Sequence, residues 1–188
     1  MFHLDEYVGI SPEHPASFQL YLKQRFVDVV YPGKYHLING KADPEETIAE
    51  LTALLKQRPI DLGLIGIGEN AHIAFNDPPA DFDDASAYKV VTLADSCIQQ
   101  QIHEGWFETP QDAFKQAISM TCRKIMECKT IICAVPYKVK AQAIRDTLAH
   151  DLTCLIPATL LKQHPDVSVY CDLDSVSLVP QATLDQFR

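Results

Sequence analysis

The stretch GIGENAHIAFNDP, Gly66 to Pro78, sets a histidine in a glycine loop with an amide two residues before it and a carboxylate five residues after it. Asn70 and Asp77 are near enough in sequence to orient the His72 ring, and an oriented imidazole can shuttle a proton near neutral pH. A capping or core histidine is the alternative that these residues leave open. Gly66 and Gly68 allow a tight turn and can bring backbone N–H groups close to a ligand. The spacing is not GxGxxG, because Ala71 stands where the third glycine would be, so a dinucleotide site is not indicated. A second group lies in the first ten residues, MFHLDEYVGI, where Asp5-Glu6 follows apolar Phe2 and Leu4 as though a strand ended there. The alternative for this pair is a solvated turn. One carboxylate plus a histidine–carboxylate pair suits moving a proton between adjacent carbons and opening a sugar ring.

The elements that would hold these residues alternate between strand and helix. The amphipathic run Ala16 to Val30 reads as a helix, with Phe18, Leu22, Phe26 and Val29 on one face. Tyr35 to Ile38 is a short strand candidate. Asp43-Pro44-Glu45-Glu46 is a helix start, with a cap and a first-turn proline. Ile60 to Ile67 is apolar enough for a strand covered on both faces. Further strands are expected at Tyr88 to Leu93, Thr130 to Val135 and Val167 to Cys171. Helices are expected at Asp95 to His103, Tyr137 to about Ala149 and Pro157 to Leu161. This alternation predicts an α/β fold, a three-layer Rossmann-like arrangement with a mostly parallel sheet and helices on both faces. Ligands of such sheets bind beyond the carboxyl ends of the strands, which is where GIGENAH falls.

Composition sets the outer limits. A chain of 188 residues suits one domain, here the whole span 1–188. A net charge of −9 with no basic stripe argues against a nucleic-acid partner. No apolar run approaches the ~18 residues of a membrane span, and no signal peptide is evident. The six cysteines form no CxxC pair and lack the ligand spacing of a zinc site, so no metal is expected. Reduced core thiols in a cytoplasmic protein are the reading they favour.

Four motifs together resemble the glucosamine-6-phosphate deaminase/isomerase family: LDEYVGI with the following HPASF, then GIGENAHIAFNDPP, KVKAQAI and LIPATLLKQHPDVSVYCD. They run in order from residue 2 to about 176. The related 6-phosphogluconolactonases share a Gly-x-Gly-x-x-x-His loop but continue it with a Thr-Ala-Ser-Leu-Phe type segment, whereas this chain reads HIAFNDP.

The resemblance implies a sugar-phosphate domain that converts glucosamine 6-phosphate to fructose 6-phosphate and ammonia. It implies isomerase and hydrolase chemistry, no cofactor, and a homo-oligomer as one possible assembly. Asp5 matches the base that carries a proton between C2 and C1, His72 the group that opens the ring, and Asp77 a carboxylate of the ring-opening set. Asn70 falls where well-known members have an aspartate, and an amide cannot stabilise imidazolium by charge. Lys140 matches a phosphate-binding lysine. Gln99 to Gln101 lie roughly where familiar deaminases place a phosphate-binding arginine, and Ala80 to Lys89 lack the arginine-rich character of the family's activator region. In the family a first strand and a glycine-rich phosphate loop precede the DEYVG motif, so a partial, N-terminally truncated domain is expected, with weak sugar-phosphate binding and little turnover by residues 1–188 alone. Two other readings are a non-catalytic sugar-phosphate-binding remnant, and an isomerase or lactonase acting on another sugar phosphate.

Overall fold

Two three-stranded sheets organise the chain, which is described for residues 1–186 in a computed structural model. The α/β class is as the sequence predicts, and the residues sort into two units. One comprises Met1–Arg58 with Ser86–Thr121, the other Pro59–Ala85 with Cys122 onward.

The first unit is built on an antiparallel sheet of order β1-β4-β3, formed by Asp5–Tyr7, Gln116–Met120 and Tyr88–Thr92. Helix α1 (Phe18–Leu22) continues through a π-helical turn, Lys23–Val27, into α2 (Asp28–Val30), so the predicted helical run holds with a widened middle turn. Tyr31 then takes a left-handed φ of 50° and stops it. Helix α3 (Pro44–Leu55) starts as the sequence indicates, with the Asp43 carboxylate accepting from the Glu46 N–H at 3.0 Å and Pro44 in the first turn. Helix α4 spans Asp95–His103. The core of this unit is aromatic. Tyr7 is 1% exposed and stacks on Phe18 and Phe114, while Phe107 meets it edge-on at 5.7 Å.

The second unit carries the parallel sheet, of order β2-β5-β6, formed by Leu62–Ile65, Thr130–Val135 and Val167–Cys171. Helices α5 (Cys122–Met126), α6 (Ala141–Ala149) and α7 (Gln181–Leu184) belong to this unit, as do 3-10 helices at Lys138–Lys140 and Pro157–Gln163. Ile65, Ile131, Cys133 and Val135 turn into its core, and burial pushes the Cys133 thiol up to about 12.

Three local expectations are corrected. Asp5 and Glu6 do not lie past a strand end. They form β1 itself, opposite Ser119 and Ile118, so the solvated-turn reading falls. Tyr35 to Ile38 makes only an isolated bridge between His36 and Phe2, because Pro32-Gly33 and Asn39-Gly40 leave too little chain for a ladder. The strand at Leu62–Ile65 is not covered on both faces. It alternates, with Gly63 and Ile65 inside and Leu62 and Leu64 about half exposed. Strand β4 and helix α5 answer to no predicted element.

Candidate active site

In the second unit two segments that carry candidate site residues leave the carboxyl ends of neighbouring parallel strands: the Gly66–Asp77 loop after β2, and Lys138–Lys140 after β5. This is the end at which ligands of open parallel sheets bind.

The loop folds back on itself around His72. The Gly68 N–H donates to the His72 carbonyl at 2.9 Å, and the Ala71 N–H donates to the Gly68 carbonyl at 3.0 Å. Ala71 and Ala74 hold left-handed φ values of 64° and 49°, a conformation that alanine adopts only under constraint. The constraint on Ala71 comes from the LIPATLL segment: the Ala158 N–H donates to the Ala71 carbonyl at 2.9 Å. That segment is pinned in turn by Thr159, which is fully buried and whose hydroxyl bonds the Thr153 and Ile156 carbonyls and accepts from the Thr153 N–H.

Within this frame His72, Asp77 and Asn70 come together. Nδ1 of His72 lies 2.9 Å from Oδ1 of Asp77, and the same oxygen accepts from the Asn70 amide at 2.8 Å. Oδ1 of Asn70 accepts from the His72 backbone N–H at 3.1 Å. Asn70 therefore orients the carboxylate and the loop backbone, and the carboxylate orients the ring. A carboxylate at Nδ1 selects the tautomer with its proton there, which leaves the Nε2 lone pair as the acceptor. His72 is 7% exposed, with its ring held by Asp77 and edge-on to Phe75.

Gly68 has a specific part in this arrangement. A Cβ at that position would stand 2.2 Å from Nε2 of His72. Glycine lets the backbone pass beside Nε2, and its N–H is taken by the His72 carbonyl. At Gly66 an added Cβ would make only an ordinary contact with the Ala134 carbonyl.

Lys140 ends the 3-10 turn that opens α6 and is half-buried. Tyr137, at φ 79°, starts that turn, with its N–H held by the Asp172 carboxylate at 2.9 Å just beyond β6. Asp172 is thus a positioning group whose part the sequence did not disclose, since its partner lies 35 residues away.

Asp5 belongs to the first unit, on β1 opposite Ser119. Loss of hydration among the surrounding protein atoms, with the Glu6 carboxylate next to it, carries its carboxyl up to about 7. A carboxylate with that affinity is matched to accepting and returning a proton near neutral pH. The glutamine stretch is part of α4, where Gln99 is exposed, Gln100 and Gln101 are buried, and the Gln100 amide donates to Glu104 at 2.8 Å.

Comparison with known proteins adds an independent line. Residues 1–169 match the family described as glucosamine-6-phosphate isomerases/6-phosphogluconolactonase. A protein of Exiguobacterium sibiricum named glucosamine-6-phosphate deaminase is 39% identical over 178 residues, covering 94% of this chain and 69% of its own. One of the same name from Thermoanaerobacter pseudethanolicus is 35% identical, covering all of this chain and 74% of its own. Among solved structures, a monomeric glucosamine-6-phosphate deaminase superposes with a TM-score of 0.85 at 32% identity, over 94% of this chain and 73% of that one. The 6-phosphogluconolactonase of Trypanosoma brucei superposes at 0.74 with 12% identity, a likeness of fold alone. These relatives correct one expectation. The 35–39% identical proteins are named deaminases, and the lactonase name occurs at an identity that speaks only to fold, so the separate hydrolase reading is withdrawn in favour of deaminase/isomerase.

Proposed function

The chain belongs to the glucosamine-6-phosphate isomerase/6-phosphogluconolactonase family, and from that premise we propose that it converts glucosamine 6-phosphate to fructose 6-phosphate and ammonia. The observation that carries this reading is the 2.9 Å pair of His72 and Asp77, set by a glycine loop at the carboxyl edge of a parallel sheet.

His72, its Nδ1 proton held by Asp77, takes the C1 hydroxyl proton at Nε2 and returns it to the ring oxygen, which opens the pyranose. Asp5 removes the C2 proton of the open aldehyde, the C1 oxygen takes a proton released by the C2 ammonium, and Asp5 delivers its proton to C1. The amine-bearing C2 becomes an iminium, water adds there, and ammonia leaves. Lys140 holds the phosphate. Each step is a proton transfer or addition next to a carbonyl or iminium, so the scheme calls for no metal or organic cofactor. We place the reaction in the cytoplasm, a reading supported by six thiols with no disulfide among the described residues.

We also propose a homo-oligomer in solution. Leu62, Leu64 and Tyr170 are exposed apolar side chains on the second unit's sheet, which a second copy could cover. The reaction is tested by incubating the chain with glucosamine 6-phosphate and measuring ammonia. Release of ammonia with formation of fructose 6-phosphate supports the reading. Calorimetric binding with no turnover selects a non-catalytic sugar-phosphate binder instead.

A further inference from the structure

The buried carboxylate beside Asp5 belongs to no step of the scheme above. Glu6 is fully buried, and every group that holds it donates a hydrogen bond. Its Oε1 accepts from the backbone N–H of Tyr7 at 3.0 Å and of Phe18 at 3.3 Å. Its Oε2 accepts from the Ser17 hydroxyl at 2.7 Å and the Gln19 N–H at 2.8 Å. Ser17 passes the link onward, since its Oγ accepts from the Leu20 N–H as the cap of α1. Donors on all sides suit an ionised carboxylate and offer nothing to the proton of a neutral acid. A charge is expensive to bury, and an uncharged cap could have closed the same helix.

Burial raises the Glu6 carboxyl above the usual range, and the four donors pull it part of the way back down. We propose that Glu6 is a positioning residue for Asp5: clamped by Tyr7, Ser17, Phe18 and Gln19, it ties β1 to the start of α1 and, when ionised, sets a negative charge next to Asp5 in the chain. The inference rests on the reading of Asp5 as the carbon base. The clamp fixes the short strand on which Asp5 rides, and the charge makes the neighbouring carboxyl hold its proton more tightly. The other titratable groups pressing on Asp5 are the phenols of Tyr7 and Tyr88, both shifted upward by burial, and its partner across the sheet is the uncharged Ser119. Glu6 is therefore the charged neighbour that can tune it.

The test is a carbon-13 NMR titration of the Asp5 carboxyl in the intact chain, in wild type, Glu6→Gln and Ser17→Ala. Glu6→Gln should lower the Asp5 midpoint by on the order of one unit, because the shape stays and the charge goes. Ser17→Ala should lower the melting temperature and leave the Asp5 midpoint in place, because the charge stays. An Asp5 midpoint unchanged in Glu6→Gln overturns the proposal. If that variant does not fold, the wild-type curves decide: the Glu6 carboxyl signal should report the Asp5 inflection, and a Glu6 signal that does not move as Asp5 titrates overturns it. Where turnover is measured, the acid limb of kcat/KM should move with the Asp5 midpoint. The titration needs no substrate, so a failure of the deaminase reading shows in the ammonia assay and leaves this result standing.

Discussion

At His72 the division of labour between the two ring nitrogens decides what the site can do. Nδ1 is engaged by Asp77, which leaves Nε2 as the ring nitrogen open to accept a proton in the proposed scheme. Asp77→Asn should keep the loop folded and slow turnover by about 10²–10⁴-fold, read from kcat, since an amide no longer selects the protonated Nδ1. His72→Gln should slow reaction of the closed ring more than that of a substrate already held open. Equal slowing of both would remove His72 from ring opening. Asp5 supports a prediction that needs no substrate. Unfolded, it loses its proton near 3.8, and folded it holds it to about 7. Its contribution to stability is therefore present at low pH and lost as pH rises through about 7. His3 acts in the opposite sense: it is buried and neutral, its value falls to about 3, and the unfolded chain takes up a proton below 6.5. The two slopes oppose each other, so the difference between wild type and Asp5→Asn is the informative quantity. In urea unfolding that difference should shrink steadily from pH 4 to 7 and then flatten.

At the scale of elements, the site depends on loop backbones held from a distance. Gly68→Ala should push against the imidazole, because the new Cβ would fall within 2.2–2.5 Å of ring atoms. Overpacking of this kind costs about 1–3 kcal/mol, and here it also covers Nε2. Activity should fall far more than the melting temperature does. The elements differ in how plainly the sequence disclosed them. Helix α3 and strands β5 and β6 were legible because a capping signal in the helix and apolar, β-branched runs in the strands agree with their neighbours. Strand β4, Gln116–Met120, was not. It is buried along Ala117 to Met120 and so shows no alternation, and Ser119 breaks the apolar run. The Asp5–Tyr7 strand was misread because it is three residues long and begins with two acids, and only its antiparallel partner makes it a strand. The His72 loop was legible as a set of residue types at short spacing. The clamp on Glu6 was not, because its donors Ser17, Phe18 and Gln19 lie 11 to 13 residues ahead across a turn that carries no signal of contact. The support of Ala71 by Ala158 was hidden for the same reason, with more than eighty residues intervening.

At the scale of the whole molecule, the exposed side chains of Leu62, Leu64 and Tyr170 predict concentration-dependent association. Light scattering should show the mass rising with concentration, and Leu64→Lys should return it toward a monomer while leaving stability within about 0.5 kcal/mol, as for most exposed sites. A monomer at every concentration would remove this face as an interface. No helix among the described residues is long and apolar enough to cross a membrane.

The central claim is that this chain moves a proton between C2 and C1 of glucosamine 6-phosphate, with Asp5 as the carrier. The most direct test follows deuterium uptake at C1 and C2 in heavy water together with ammonia release, for wild type and Asp5→Asn. However slowly the wild-type chain exchanges the C2 proton and releases ammonia, Asp5→Asn should slow both by a further factor of about 10²–10⁴ while sugar-phosphate binding persists. Near-normal exchange and ammonia release by Asp5→Asn would contradict the account.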